Sequence, residues 1–344
     1  MIPASRACDR WIRSHVPRSV VTVCAGVLLA ASGGLPLAES ASAAGPATTR
    51  IYVTNYLDNT VSVIDGSTHK ILATVRVGIA PAEMAVSPNR RFIYIANAES
   101  NTVSVLNTTN NTIARTVALP RRSRPTGVAL SANGRYLYTA DGGSNRVSVL
   151  DTRTKRVVAS VRVGTQPVSV AVAADGRTVY AANSGSGDVS VIDARTNRVV
   201  RSIPTGRFPS GVAVTPNGAS AYVTNELSGV TVINCANGTV QARLREPSPL
   251  SVAVSPTGDR AYVTDLGPGT LTVIDTRTHR VSSTVSIGPY GTDPFAVATT
   301  GDAVYVADQG ANTLSVIDPS TLKVTATVAT GNSPYGIAVV QPRP

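Results

Sequence analysis

Two histidines, one cysteine and a scatter of carboxylates are the side chains through which residues 45–344 could do chemistry. His69 and His279 occupy equivalent places in an internal repeat, four residues after an Asp. The same place holds Asn111, Lys155, Asn197, Gly238 and Leu322 elsewhere. A position that accepts all of these reads as an exposed turn, so neither His is expected to act as a base or a ligand. His15 lies in the leader, which argues against a histidine-dependent lyase or a His-rich metal centre. Cys235, in "INCANG", has no identifiable base to activate a thiolate and reads as a bystander. No catalytic residue, metal ligand set or cofactor motif is assigned.

Most of the acids have a structural reading. Asp65, Asp151, Asp193, Asp275 and Asp318, with Asn107 and Asn234, close one strand of each repeat. Asp and Asn there hydrogen-bond the turn backbone two residues on. Asp175, Asp259 and Asp302 lie in turns, and Asp141, Asp265 and Asp308 replace a repeated Asn. The remainder are Asp58, Glu83, Glu99, Asp188, Glu226, Glu246 and Asp293. These could hold a hard cation or form a hydrolytic pair. Glu83 stands out because its equivalents are Gly127, Ser169, Gly211, Ser251, Ala296 and Gly336.

The basic residues suggest binding. "LPRRSRP" supplies Arg121, Arg122 and Arg124, "GRFP" supplies Arg207 and Phe208, and "REPSP" supplies Arg245. "GPYGTDP" supplies Tyr290, with Tyr56, Phe295 and Tyr335 expected on the same side. Arg forks match phosphate or carboxylate oxygens and rings stack on bases or sugars. The candidate ligand-binding set is therefore Arg121, Arg122, Arg124, Arg207, Phe208, Arg245, Tyr290, Tyr335 and Glu83. The expected partner is a protein, a cell-wall polyanion or single-stranded nucleic acid. Basic residues also populate "DTRTKR" and "DARTNR" on the other face, so the loop arginines can equally be read as solubilising.

The elements that must hold these side chains follow from the repeat. Tyr52, Tyr94, Tyr138, Tyr180, Tyr222, Tyr262 and Tyr305 open YVTN, YIAN, YTAD, YAAN, YVTN, YVTD and YVAD, at spacings of 42, 44, 42, 42, 40 and 43 residues. Each is followed by a VSVID-like run and preceded by Pro with a small/apolar alternation, at Pro81, Pro125, Pro167, Pro209, Pro249, Pro294 and Pro334. The pieces are short, rich in Val, Ile, Tyr and Thr, and bounded by turn residues, which are strand signals. Four antiparallel strands per repeat is the signature of a propeller blade. The repeat begins without a first strand and ends with an unpaired one, "PYGIAVV". Pairing that C-terminal strand with the N-terminal three completes a seventh blade and removes exposed edges. The expected fold is an all-β, seven-bladed propeller over residues 45–344, with the Tyr residues packed between blades.

Residues 1–44 read as a secretory signal peptide. Four arginines precede the apolar run Val20–Ala31, and small residues lead to Ala-Ser-Ala at Ala41–Ala43. The run is short for a membrane span. The chain carries 31 Lys+Arg, 20 Asp+Glu and a net charge of +11; removal of four Arg and two acids leaves +9. Cys235 is then the sole cysteine, so core burial must hold the domain together. An exported or surface-associated monomer without a transmembrane segment is expected.

The seven in-phase YVTN-like tetrapeptides resemble the YVTN-type β-propeller repeat family, which includes YncE-like exported proteins. The resemblance covers roughly residues 50–340, with the tetrapeptide complete at Tyr52–Asn55 and Tyr222–Asn225. It implies a propeller, export and a binding role, but no particular ligand. A propeller enzyme of lactonase or lyase type, using acids at the channel mouth, is the alternative.

Overall fold

The computed structural model describes residues 48–342. The signal-peptide reading of residues 1–44 lies outside the described residues. Among the described residues all regular structure is β: seven four-stranded antiparallel sheets. Blade 1 combines Arg50–Asn55, Thr60–Asp65 and Ile71–Arg76 with the C-terminal strand Pro334–Val340. Blades 2 to 7 follow in order as residues 81–118, 125–162, 167–204, 209–244, 249–286 and 294–329. In blade 1 the closure runs in antiparallel register, with Arg50 opposite Val340 and Tyr52 opposite Ala338. The expected seven-bladed ring, shut by its C-terminal strand, is what the chain forms. No helix among the described residues is long and apolar enough to cross a membrane.

The Pro-led strands are innermost, each touching the inner strands of both neighbouring blades. The apolar core is divided between blades. Tyr52, Val61 and Val63 of blade 1 pack with Ile93, Ile95 and Leu106 of blade 2. Tyr222, Val230 and Val232 of blade 5 pack likewise with Ala261, Val263 and Ile274 of blade 6. Tyr52, Tyr138, Tyr222 and Tyr262 are among the largest fully buried side chains. At about 1.5–3 kcal/mol per large apolar side chain fully buried, these interfaces hold together described residues whose one cysteine, Cys235, is free.

The Tyr hydroxyls give the supposedly exposed turn position a different role. Tyr52 donates to Asn111 Oδ1 at 3.1 Å, Lys155 Nζ donates to the Tyr94 hydroxyl at 3.0 Å, and the Tyr222 hydroxyl lies 2.8 Å from His279 Nδ1. Each pair spans two adjacent blades. The turn is present, with φ of 55° at Asn111, 59° at Lys155 and 53° at His279, but Lys155 and His279 are half-buried. In these three blades the position is thus an inter-blade latch, because the preceding blade's Tyr reaches into it.

Below it, the turn aspartates do what turn chemistry predicts. Asp65 Oδ1 accepts Ser67 N and Thr68 N at 3.0 and 2.8 Å, and Asp193 Oδ1 accepts Arg195 N and Thr196 N at 2.9 and 2.7 Å. Cys235 is half-buried, and burial pushes its thiol up, away from the reactive thiolate.

Candidate binding face

Loops from outer to inner strand, and from second to third strand, emerge together on one face around the channel. On it, Phe295 and Tyr335 are second residues of neighbouring inner strands, and Tyr56 follows the second strand of blade 1. Phe295 and Tyr335 pack with centroids 4.4 Å apart, tilted by 47°; Tyr56 stacks on Tyr335 at 5.4 Å and 23°. Tyr290 stands clear of this cluster at 90% exposure. Leu57 and Ile79 add exposed aliphatic surface from loops of blades 1 and 2. Sequence reasoning did not single these two out, since an isolated apolar loop residue carries no periodic signal.

The arginine loop leads into blade 3. Arg124 adopts φ 46°, its N–H donates to Asn101 Oδ1 at 2.9 Å, and its guanidinium pairs with Glu99 at 2.5 Å. Arg121 and Arg122 are exposed and make no ion pair among the described residues. With Glu99, Asn101, Leu119 and Gly143 they line a cleft of about 660 Å³. Arg207 and the half-buried Phe208 line a second cleft of about 490 Å³, with Ser184, Ser186 and Arg243. Arg245 is exposed before blade 6. The sequence-selected loop residues therefore share one face but are dispersed around the ring: aromatics on blades 5, 7 and 1, arginines on blades 3, 5 and 6.

Glu83 belongs to the channel wall. It is the third residue of its inner strand, inside the register shift between Pro81 and Met84, and its carboxyl accepts the Val128 N–H of blade 3. Burial pushes that carboxyl up to about 8. Blade 1 makes the corresponding link through Thr54, whose Oγ1 donates to Ala82 O at 2.8 Å, and blade 5 through Thr224 to Leu250 O at 2.7 Å. Blade 2 has Ala96 where those blades have Thr, so Glu83 supplies a link that Ala96 lacks. Third positions elsewhere must be small: a Cβ on Gly127 would fall 2.6 Å from Ser169 Cα, and one on Gly336 2.5 Å from Ala82 O.

The acids of this face are also engaged. Asp58 accepts Asn332 N at 2.7 Å and Asn332 Nδ2 at 2.8 Å. Asp188 accepts Asn183 Nδ2 at 3.0 Å and Ser186 Oγ at 2.6 Å. Glu226 is buried, and burial pushes Asp293 upward. Glu246 and Asp265 share Thr272, whose Oγ1 lies 3.0 Å from Glu246 Oε2 and 2.8 Å from Asp265 Oδ2. Burial, assisted by the Glu246 charge, pushes Asp265 up to about 7. Among the described residues no three His, Cys, Asp or Glu side chains gather closely enough to hold a metal ion. In the loops of this face Asp58, Glu99, Glu226, Glu246 and Asp293 offset Arg121, Arg122, Arg124, Arg207 and Arg245, so the loops carry no net charge.

Three inter-blade Tyr latches, a ring closed by its own C-terminal strand and a loop face set with aromatics define a β-propeller of the repeat class. The chain belongs to the YncE-like β-propeller family, whose model matches residues 11–344. Among solved structures it is similar to Kuenenia stuttgartiensis hydrazine synthase, with 23% identity over 85% of this chain and 100% of that one and a TM-score of 0.71. A functionally unknown protein from Desulfotomaculum acetoxidans is similar at 18% identity, over 86% of this chain and 100% of that one, also with a TM-score of 0.71. At these identities the likeness concerns the fold alone. No curated protein matches the chain.

Proposed function

We propose that residues 45–344 act as an exported binding scaffold that presents its loop face to a protein partner. The observation that carries this reading is the Tyr56–Tyr335–Phe295 cluster on the loop face, with Tyr290 exposed in the loop that leads into Phe295's strand. Tyr, Phe and Arg are the residues that protein interfaces concentrate, and they supply most of the binding energy. The balanced loop charge favours a protein over a polyanion or single-stranded nucleic acid on this face. Export rests on the signal-peptide pattern of residues 1–44, and a monomer is the simplest state for a ring closed within one chain.

A lactonase- or lyase-type reaction would need carboxylates brought together. The seven acids singled out for such chemistry are spread over six blades, and Glu246 meets only Asp265, through Thr272, a single pair with no third acid beside it among the described residues, which supports binding instead.

Affinity isolation from the envelope of the producing cells tests the reading, with immobilised wild type compared against a Tyr290→Ala/Phe295→Ala variant. A protein retained through a salt wash by wild type and depleted with the variant is expected. Equal recovery by both would contradict it.

A further inference from the structure

We infer that the face opposite the loop face is a second, electrostatic surface, spanning blades 2 to 4, which binds an extended phosphate-bearing polymer. Six arginines carry it: Arg91, Arg153, Arg156, Arg177, Arg195 and Arg198. All are exposed, and none makes an ion pair among the described residues. Arg91 and Arg177 precede second strands and form an inner tier. The other four flank the turns between third and outer strands of blades 3 and 4, forming an outer tier.

The acids in this region do little to cancel them. Asp151 is buried with Oδ1 accepting Arg153 N and Thr154 N, both at 2.9 Å. Asp193 caps its own turn in the same way, and Asp175 accepts Arg177 N at 2.8 Å. These carboxylates point at backbone N–H groups while the arginines of the same turns extend outward. Three further cations are occupied: Arg90 donates to the Gln341 and Pro342 carbonyls, Arg135 pairs with Asp151 at 3.6 Å, and Lys155 donates to the Tyr94 hydroxyl. Nine cations therefore face three acids across three adjacent blades.

The chemistry of the ligand follows from the donors. The free cations are all guanidinium groups, whose planar forks match phosphate oxygens in pairs. They lie along an arc rather than around a cavity, so the ligand must be a chain carrying repeated charge. Base stacking is not provided for. Phe92 lies beneath Lys155 at 5.6 Å and Tyr136 beneath Arg135 at 5.2 Å, so the rings at this level are covered by cations. A polymer read by phosphate alone is the chemistry that fits.

The test is a salt titration of the purified protein against long-chain inorganic polyphosphate. Wild type is compared with an Arg153→Ser/Arg156→Ser/Arg195→Ser/Arg198→Ser variant and with Arg121→Ser/Arg122→Ser on the loop face. The four-site variant should lose affinity at least about 100-fold at low salt. Its log–log salt slope should flatten by roughly 0.7–0.9 for every phosphate that the missing guanidinium groups leave unneutralised. The loop-face variant should bind as wild type does. Equal weakening of both variants, tighter binding of oligothymidylate than of polyphosphate of matched charge, or equal binding of polyaspartate would each overturn the inference. Thermal melting of both variants near the wild-type temperature shows that the comparison is between folded proteins.

Discussion

The Tyr222 hydroxyl of blade 5 lies 2.8 Å from Nδ1 of His279 in blade 6, with the two rings edge to face at 5.9 Å. The corresponding partner is Asn111 for Tyr52 and Lys155 for Tyr94. The latch is defined by the place of the turn beneath the neighbouring Tyr, and several side chains can complete it. Removing the hydroxyl should therefore cost stability in proportion to the partner present. Tyr222→Phe is expected to destabilise by about 1 kcal/mol, the usual net value of one hydrogen bond. Tyr138→Phe, whose equivalent turn residue Asn197 has an Oδ1 without a hydrogen-bond partner, should cost less. Denaturant unfolding of the two variants checks the difference.

Three blades replace the repeated Asn with a buried Asp, and the hydrogen bonds reverse. Asn55 and Asn97 donate from Nδ2 to Ser62 and Ser104, both at 2.9 Å. Asp141 and Asp308 instead accept from Ser148 and Ser315, at 2.5 and 2.7 Å. Burial pushes Asp141 and Asp308 up to about 6 and Asp265 up to about 7. Because the folded values exceed the unfolded one, the folded chain holds protons that the unfolded chain releases. The resulting stability is full below about pH 4 and is lost as pH rises through 6 to 7. Asp265→Asn should therefore raise the melting temperature more at pH 8 than at pH 5. A variant whose melting temperature shifts equally at both would show that this carboxyl does not titrate there.

Glu83 should separate its two properties by substitution. Glu83→Gln keeps an acceptor for Val128 N–H and removes the proton equilibrium near 8. It is expected to be nearly neutral at pH 6 and stabilising at pH 9. Glu83→Ala loses the link to blade 3 at either pH and should destabilise by about 1–3 kcal/mol. Melting curves at the two pH values distinguish the variants.

Close approach of inner strands makes a sharp comparison between glycines. Gly127→Ala would put a Cβ 2.6 Å from backbone of blade 4, whereas a Cβ on Gly301 meets nothing within 4 Å. The first should cost about 1–3 kcal/mol, in the range of core overpacking, and the second almost nothing. Equal melting temperatures would mean that the ring relaxes freely at its centre.

Blade number, strand order and the buried Tyr ladder were legible because each recurs seven times in phase, and closure because the C-terminal strand is the one element left over. The side chains that depart from the repeat were visible as well, Glu83 above all. What they touch was not. A repeat alignment compares equivalent positions, whereas contacts across the ring join non-equivalent ones: Arg124 to Glu99, His279 to Tyr222, Glu83 to Val128. The tolerance of the latch position for His, Lys and Asn looked like exposure. It reflects a positive-φ turn whose side chain needs only to meet a Tyr hydroxyl. Charge balance was illegible for the same reason, since assigning Arg153 and Arg121 to opposite faces requires the strand directions.

The binding role of the loop face is tested most directly by site-specific photo-crosslinking in the producing cells. A photoreactive residue is placed at Tyr290, in the exposed loop that leads into Phe295's strand, and in a parallel strain at Val200, on the outer strand of blade 4. A discrete protein adduct at position 290, absent at position 200 and abolished when Phe295→Ala and Tyr335→Ala are added, is the predicted result. Adducts of equal yield at both positions, or an adduct at 290 that survives removal of the cluster, would contradict it.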